Sequence, residues 1–308
     1  MNIDQVRKKN LEKKNKLRIN IIGVGKVAST MAVLWQHSNH IEIQAVWNRS
    51  ISASKNLQYH LPNIEISNDP IDMPKADIIV IGVSDQVISS LAEKINQLNW
   101  ITPNTLLLHF SGALGSDILA SPKNDILAGS MHPVFAFSHI DTAIKTLPGH
   151  LCAIEGDKTA LPVLKKLAQW AGLESFVIHK DQKARYHAAL SISANFLVTL
   201  NDYACTLLKS LSIPAGLADK LVNQLMQQNL NQLQQFSATE ALTGPIKRGD
   251  INTVSRHWQA LTDQERTLYQ ALTLQTLRLT TLSIEEQVEI RKAVSDIVVR
   301  KSDYSNKK

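Results

Sequence analysis

Residues Leu17–Ala28, LRINIIGVGKVA, decide the fold. Apolar and mostly β-branched residues fill the first positions, as a buried strand requires. Gly23 and Gly25 follow, and Lys26 to Trp35 then takes a helical pattern. A strand that breaks through Gly-x-Gly into a helix is built to hold a dinucleotide pyrophosphate on the helix N-terminus. Gly23 permits the tight turn, Gly25 lets backbone approach the phosphates, and Ala28 in the third small position lets helix and strand pack closely. An ordinary strand–helix turn would read the same way, so the flanking segments must decide.

Ile41 to Trp47 (IEIQAVW) reads as a second strand, ending at Asn48-Arg49-Ser50. That point lies roughly twenty residues past the glycines, where an NAD site keeps the acid that binds the ribose. Here an arginine stands instead. Arg49 can pair with a 2′-phosphate and stack on adenine, and one charged hydrogen bond is worth roughly 1.5–3 kcal/mol. The expected cofactor is therefore NADP(H).

Asp77 to Val83 (DIIVIGV) is apolar throughout, as in a parallel strand covered on both faces. Ser84-Asp85 reads as the N-cap region of a helix over Gln86 to Leu98. Further strands are expected at Leu106 to His109, Ala128 to Phe137, Leu151 to Ile154 and Glu174 to Ile178, with a helix over Lys158 to Ala171. Strands alternating with helices predict a doubly wound, mostly parallel α/β domain of Rossmann-like form. After Lys180 the texture becomes helical, over 184–211, 215–236, 263–282 and 284–299. The sequence thus predicts a basic tail at 1–16, a dinucleotide-binding domain at 17–180, a helical substrate and dimerisation domain at 181–300, and a second basic tail at 301–308. Two domains also suit a chain of 308 residues.

The net charge of +6 belongs to the ends: residues 1–18 carry +5 and residues 300–308 carry +3, which leaves −2 for the rest. Solvated tails explain this better than a nucleic-acid face, so no nucleic-acid partner is expected. No apolar run reaches the 18 or more residues of a membrane span, and the basic start runs straight into the first strand without a signal-peptide pattern. Cys152 and Cys205 sit in apolar contexts and read as reduced core thiols, which makes a cytoplasmic location the expectation. The ten histidines show no metal-ligand spacing, so no metal site is expected.

Lys183, His187, Ser191 and Asn195 recur at i+4 along the first helix of the second domain and share one side of it. Reducing a carbonyl or imine needs a proton donor near the atom that receives hydride. Lys183 or His187 could move the proton, and Asn195 could orient the substrate. Asn195 lies among Ala194, Phe196, Leu197 and Val198 and is expected to be buried with partners. Thr243 to Asp250 (TGPIKRGD) is a sharp turn whose Arg248 could clamp an anionic substrate group; a plain helix–helix connector explains it equally well. Ser111 and Gly112 follow a strand end and could contact substrate beside the nicotinamide. His109, in the same place, reads as a satisfied core histidine.

The motifs IIGVGKVA, VWNRS, ADIIVIGVSDQVI, HFSGALG, MHPVFAF, YHAALSISANF and ALTGPIKRGD together resemble a group of Rossmann-like oxidoreductases of unassigned substrate. The second domain of that group resembles the helical C-terminal domain of 6-phosphogluconate dehydrogenase. More distantly, the chain is similar to pyrroline-5-carboxylate reductase, ketopantoate reductase and prephenate dehydrogenase. The resemblance implies NADP(H) or NAD(H), hydride transfer to or from a small molecule, and homodimers whose helical domains interlock. It implies Gly23, Gly25, Lys26 and Val27 at the pyrophosphate, Asn48, Arg49 and Ser50 at the 2′-phosphate, and Val83 and Ser84 beside the nicotinamide ribose. Hydroxyacid dehydrogenases of this superfamily place a lysine and an asparagine one helical turn apart; here His187 takes the second position, and Asn195 comes two turns later. A protein that binds NADPH as a regulator or scaffold, without turnover, is the alternative function.

Overall fold

The computed structural model describes residues 16–120 and 125–295, and the tails expected at 1–16 and 301–308 lie outside these apart from Lys16. The chain folds as two compact units, with the division between Leu197 and Val198.

The first unit is built on β1 (Leu17–Ile22), β2 (Ile41–Trp47), β3 (Glu65–Ile66), β4 (Ile78–Ile81), β5 (Leu106–His109), β6 (Leu127–Pro133), β7 (Leu151–Gly156) and β8 (Glu174–Val177). They form one sheet in the order β3-β2-β1-β4-β5-β6-β7-β8. Every pairing is parallel except β6 with β7. The connecting helices are α1 (Lys26–His37), α2 (Ile51–His60), α3 (Asp85–Ile95), α4 (Ile140–Thr146) and α5 (Leu161–Trp170).

The apolar strand runs follow from burial on both sides. Ile19, Ile21, Val80 and Leu108 pack into one core with Met31 and Trp35 of α1 and Leu164 of α5. Ile22, Ile79, Ile81 and Leu107 face the opposite core with Ile88, Ala92 and Ile95 of α3. Each such side chain contributes roughly 1.5–3 kcal/mol on burial. The Trp35 indole donates to the Leu167 carbonyl at 2.8 Å and joins α1 to α5. Strand order reverses between β1 and β4, and the crevice beyond the C-terminal ends of such a pair is where open α/β sheets bind ligands.

α6 (Lys183–Ser210) runs across the division between the units. A boundary at 180 marks where strands give way to helix, but the first half of α6 belongs to the sheet unit because Lys183 is buried against it. The second unit continues with α7 (Ala215–Leu233), α8 (Ala238–Ala241), α9 (Ile251–Ala260), α10 (Asp263–Thr276) and α11 (Ile284–Ala293). Val254, Trp258, Leu277, Ile290 and Val294 form its core. Capping boxes at Thr262/Glu265 and Ser283/Glu286 start α10 and α11. The single helix expected over 263–282 ends at Thr276 and tightens into a 3₁₀ turn over Leu277–Leu279.

Candidate functional site

The turn after β1 is set by backbone geometry. Gly23 has φ +93°, a conformation that favours glycine. A Cβ there would lie 2.5 Å from Val83 Cγ1 and 2.8 Å from the Gly82 carbonyl carbon. Gly82 is equally constrained, since its Cβ would meet the Gly23 carbonyl oxygen at 2.3 Å and Ala28 Cβ at 2.4 Å. The loops ending β1 and β4 therefore touch backbone to backbone. Gly25 occupies the N-cap of α1 without a side-chain cap, and the first turn of α1 contains no acid. The unpaired first-turn N–H groups and the helix dipole suit an anion.

Asn48 ties β2 to this turn: its Oδ1 accepts from the Val24 N–H at 3.2 Å, and its Nδ2 donates to the Ser50 carbonyl at 3.0 Å. Both ends of the Asn48 amide are thus engaged in shaping the loop. Arg49 and Ser50 are exposed just beyond, with Ser50 at the N-cap of α2. Ser84 occupies the N-cap position of α3, but its hydroxyl makes no cap bond. Gly25, Lys26, Val27, Val83 and Ser84 line a cavity of about 410 Å³, together with Asp85, Phe110, Ser111 and Phe137.

The loop after β5 is stapled from several sides. His109 accepts from the Ser111 N–H through Nδ1 at 3.1 Å and meets the Gly115 carbonyl through Nε2 at 3.1 Å. The first bond fixes Nε2 as the protonated nitrogen, so His109 is a neutral clamp, as expected of a satisfied core histidine. Burial, with Lys183 nearby, lowers its pKa to about 4. The Ser111 hydroxyl donates to Asp85 at 2.6 Å and accepts from the Ala113 and Leu114 amides. Its side chain is therefore committed to the loop, while Gly112 faces a cavity.

Lys183 anchors the same loop from beneath. Its Nζ donates to the Ser111 carbonyl at 2.9 Å and to the Ser130 hydroxyl at 2.6 Å, and lies 3.9 Å from Glu155. Only 2% of its side chain is exposed. Burial lowers its pKa from 10.5 to about 8, and attraction to Glu155 and Asp85 opposes the shift. Glu155 is held in turn by the Ser116 amide and hydroxyl and by Ser130. Lys183 lines none of the cavities around this loop.

Two imidazoles converge where Gly112 has no side chain. A Cβ on Gly112 would stand 2.5 Å from His187 Nδ1 and 2.8 Å from His132 Nε2. His132 Nδ1 meets the Tyr186 hydroxyl at 3.0 Å. Burial and the neighbouring His187 and Lys183 lower the His132 pKa to about 4, and burial raises that of Tyr186 to about 12. Both groups are therefore uncharged at neutral pH. His187 Nδ1 is buried with no hydrogen-bond partner, and an unmet buried acceptor or donor costs about 1–3 kcal/mol unless a ligand meets it. Asp85, Gly112, His132 and His187 line a cavity of about 180 Å³. A third cavity of about 500 Å³ is lined by His132, His187, Ser191 and Asn195, with Phe135 and Phe137. Phe137 lines all three cavities, so they form a row from the glycine turn to α6.

Three members of the i+4 row thus share one cavity, with Lys183 buried at its head. Asn195 departs from expectation in being exposed. Its apolar neighbours Ile192, Phe196 and Val198 are themselves more than half exposed, so an uncovered helix face replaces the expected burial. Arg248 lies exposed on the turn between α8 and α9 in the second unit. Around it, Gly244 and Gly249 take positive φ, Lys247 donates to the Thr239 carbonyl, and Asp250 caps α9. The motif is therefore built as a connector, with Arg248 projecting from it. Sequence reasoning gave no site role to Gly82, Asp85, His132, Tyr186 or Glu155, although Asp85 stands at an expected helix start and His132 at a strand end beside the crevice. The strand-end position of Gly82 and Asp85 was the available signal for those two. Cys152 and Cys205 are free and buried.

Comparison with known proteins agrees with this architecture. Residues 3–133 match the family described as a Rossmann-like domain, and residues 150–276 match a domain of unknown function, DUF2520. The chain therefore carries a Rossmann-like domain followed by a DUF2520 domain. No curated protein matches the sequence. Among solved structures, the "putative NADP oxidoreductase" of Bacteroides fragilis is similar at TM-score 0.70 and 20% identity, over 86% of this chain and 99% of that one. A protein from Thermotoga maritima gives TM-score 0.66 and 24% identity, over 89% and 98% of the two chains. A pyrroline carboxylate reductase from Plasmodium falciparum with NADP bound gives TM-score 0.55 and 13% identity, over 91% and 99%. At these identities the likeness is one of fold.

Proposed function

We propose that this protein is an NADP(H)-dependent oxidoreductase acting on a small carbonyl, hydroxy or imine compound. The row of cavities running from an uncapped helix N-terminus to a buried, unpartnered imidazole nitrogen carries this reading. The presence of bound NADP in the Plasmodium structure of similar fold supports the choice of cofactor. The glycine cradle fits a pyrophosphate: added Cβ atoms at Gly23 and Gly82 would displace backbone, and the first-turn amides of α1 need an acceptor. Arg49, with Ser50 beside it, pairs with the 2′-phosphate, and Asn48 holds the loop that presents them. Val83 and Ser84 flank the nicotinamide ribose.

A nicotinamide bound here supplies or accepts hydride at C4, and the residues around Gly112 do the rest. His187 is the proton carrier, because its side chain lines the 180 Å³ cavity and its Nδ1 has no protein partner. Neutral His132, backed by Tyr186, holds the substrate heteroatom by hydrogen bonding. Asn195 orients the remainder of the substrate. Lys183 acts at one remove, positioning Gly112 through the Ser111 carbonyl. Phe110 and Phe137 exclude water from the reacting end. The largely exposed apolar residues of α6 and α7, such as Phe196 and Leu225, support a homodimer formed through helices.

The test is NADPH binding by fluorescence, followed by turnover on aldehydes, ketones and cyclic imines. General acid–base groups contribute about 10²–10⁴-fold, so His187→Gln should lower kcat by at least a hundredfold and leave NADPH affinity intact. Near-wild-type kcat in that variant would remove His187 from the mechanism. Tight NADPH binding with no turnover on any compound would favour a dinucleotide-sensing regulator.

A further inference from the structure

We propose that the cavity of about 500 Å³ takes an apolar, uncharged portion of the substrate, so that the substrate is a neutral aryl or alkyl carbonyl or imine and not a keto acid. This rests on the oxidoreductase reading and deepens it. Its volume lies within the range of small-molecule sites, roughly 300–1,000 Å³. Val134, Phe135, Phe137, Leu190 and Ala194 supply its hydrocarbon surface, and serines, Asn195 and two imidazoles supply the polar part. None of the residues lining it is a lysine, arginine, aspartate or glutamate.

The surrounding charges argue the same way. Lys183 is the buried cation of this region, and its amine is already held by the Ser111 carbonyl, Ser130 and Glu155. His132 is uncharged at neutral pH because burial lowers its pKa to about 4. Asp85 lines the adjoining 180 Å³ cavity, so an anion entering from the larger one would approach a carboxyl group. An anion bound in the larger cavity would find no lysine or arginine among the lining residues to pair with. An amide or carbonyl of the same shape, by contrast, meets polar uncharged side chains, Ser138, Ser191 and His132, in the lining.

Benzamide and benzoate, nearly identical in shape, separate the two cases. Their affinities are measured by ligand-observed NMR titration, with and without NADP⁺. Losing a charge-assisted partner changes binding about ten- to a hundredfold. Benzamide should therefore bind at least about tenfold more tightly than benzoate. Ala194→Trp, which fills the cavity, should abolish benzamide binding and preserve NADP⁺ binding. Ser191→Lys should raise benzoate affinity by about tenfold or more, placing the ligand in this cavity by a gain of function. Equal affinities, a preference for benzoate, binding of neither at millimolar concentration, or benzamide binding that survives Ala194→Trp would each overturn the proposal. A preference for benzoate that disappears in Arg248→Ala would replace it with an arginine clamp. Failure of NADP⁺ to bind, with discrimination between the two probes retained, would instead refute the dinucleotide reading and leave the cavity assignment standing.

Discussion

Replacing Lys183 with methionine separates an anchoring role from a catalytic one. The amine sits with 2% of its side chain exposed, bonded at 2.9 Å to Ser111 and at 2.6 Å to Ser130. Burial lowers its pKa from 10.5 to about 8. The folded protein thus holds this proton less tightly than the unfolded chain does. Between these two values the unfolded state binds more protons, so stability rises with pH. Below pH 8 the full penalty of burying the charge is present, and above 10.5 it is relieved. A shift of this size corresponds to about 3 kcal/mol at 1.36 kcal/mol per unit. Methionine keeps much of the volume and cannot titrate. Urea unfolding of both proteins at several pH values should therefore show the stability of the native protein, minus that of Lys183→Met, increasing by about 2–3 kcal/mol from pH 7.5 to 10.5. Glu155→Gln removes the attraction that opposes the shift, so it should move the rise to lower pH. In the catalytic assay Lys183→Met should lose about tenfold in kcat/KM through a displaced Ser111–Gly112 loop. A flat or falling stability difference would show that the amine titrates as if solvated. A loss of about 10³-fold or more in kcat, with stability and NADPH binding preserved, would make Lys183 the proton donor.

Gly82→Ala should cost several kcal/mol of stability and weaken NADPH binding, because its Cβ would collide with Gly23 backbone at 2.3 Å; thermal unfolding and fluorescence titration check both, and a tolerated methyl would deny the backbone contact. Arg49→Ala should cut the NADPH-over-NADH preference about ten- to a hundredfold, and an unchanged ratio of dissociation constants would remove Arg49 from 2′-phosphate binding. Paired substitutions Phe196→Glu and Leu225→Glu, at positions more than half exposed, should convert a dimer to monomer in analytical ultracentrifugation with little change in the circular dichroism spectrum. A native protein that sediments as a monomer would refute the helical dimer interface.

The parts of the fold that were legible in the sequence are those with one dominant signal. IEIQAVW and LLLH were predicted as strands over the residues observed, because central parallel strands must be apolar on both faces. The glycine turn was legible because Gly23 needs a positive φ. α2 escaped notice because only Ser54 and Leu57 of its ten residues are buried, which leaves almost no apolar period to detect. α4 is seven residues long and buries only Ala143, so it presents the same difficulty. The antiparallel β7 could not be foreseen, since its direction depends on where the chain returns after α4 and on no local pattern. At the candidate site, the cavity residues of α6 followed from their spacing. The engagement of Ser111, Asn48 and Lys183 as internal braces did not, because it depends on contacts up to 72 residues away.

That distinction changes what the polar row on α6 means. Spacing alone presents Lys183, His187, Ser191 and Asn195 as equivalent members of one stripe. The fold separates them by depth: Lys183 is buried, His187 and Ser191 are half-buried, and Asn195 is exposed. Lys183 is consumed by holding the loop that bears Gly112, and that loop in turn leaves His187 and His132 facing a space where a side chain would clash. The lysine thereby gives up its own contact with the cavity and fixes the position of groups that retain it. Gly112→Ala tests this coupling directly, since its methyl would occupy the point on which both imidazoles converge. Turnover should fall by at least about a hundredfold, as for loss of a general acid–base group. Dinucleotide affinity should be unchanged, because Gly112 does not line the 410 Å³ cavity at the glycine turn. Unimpaired turnover in Gly112→Ala would show that the reaction takes place elsewhere.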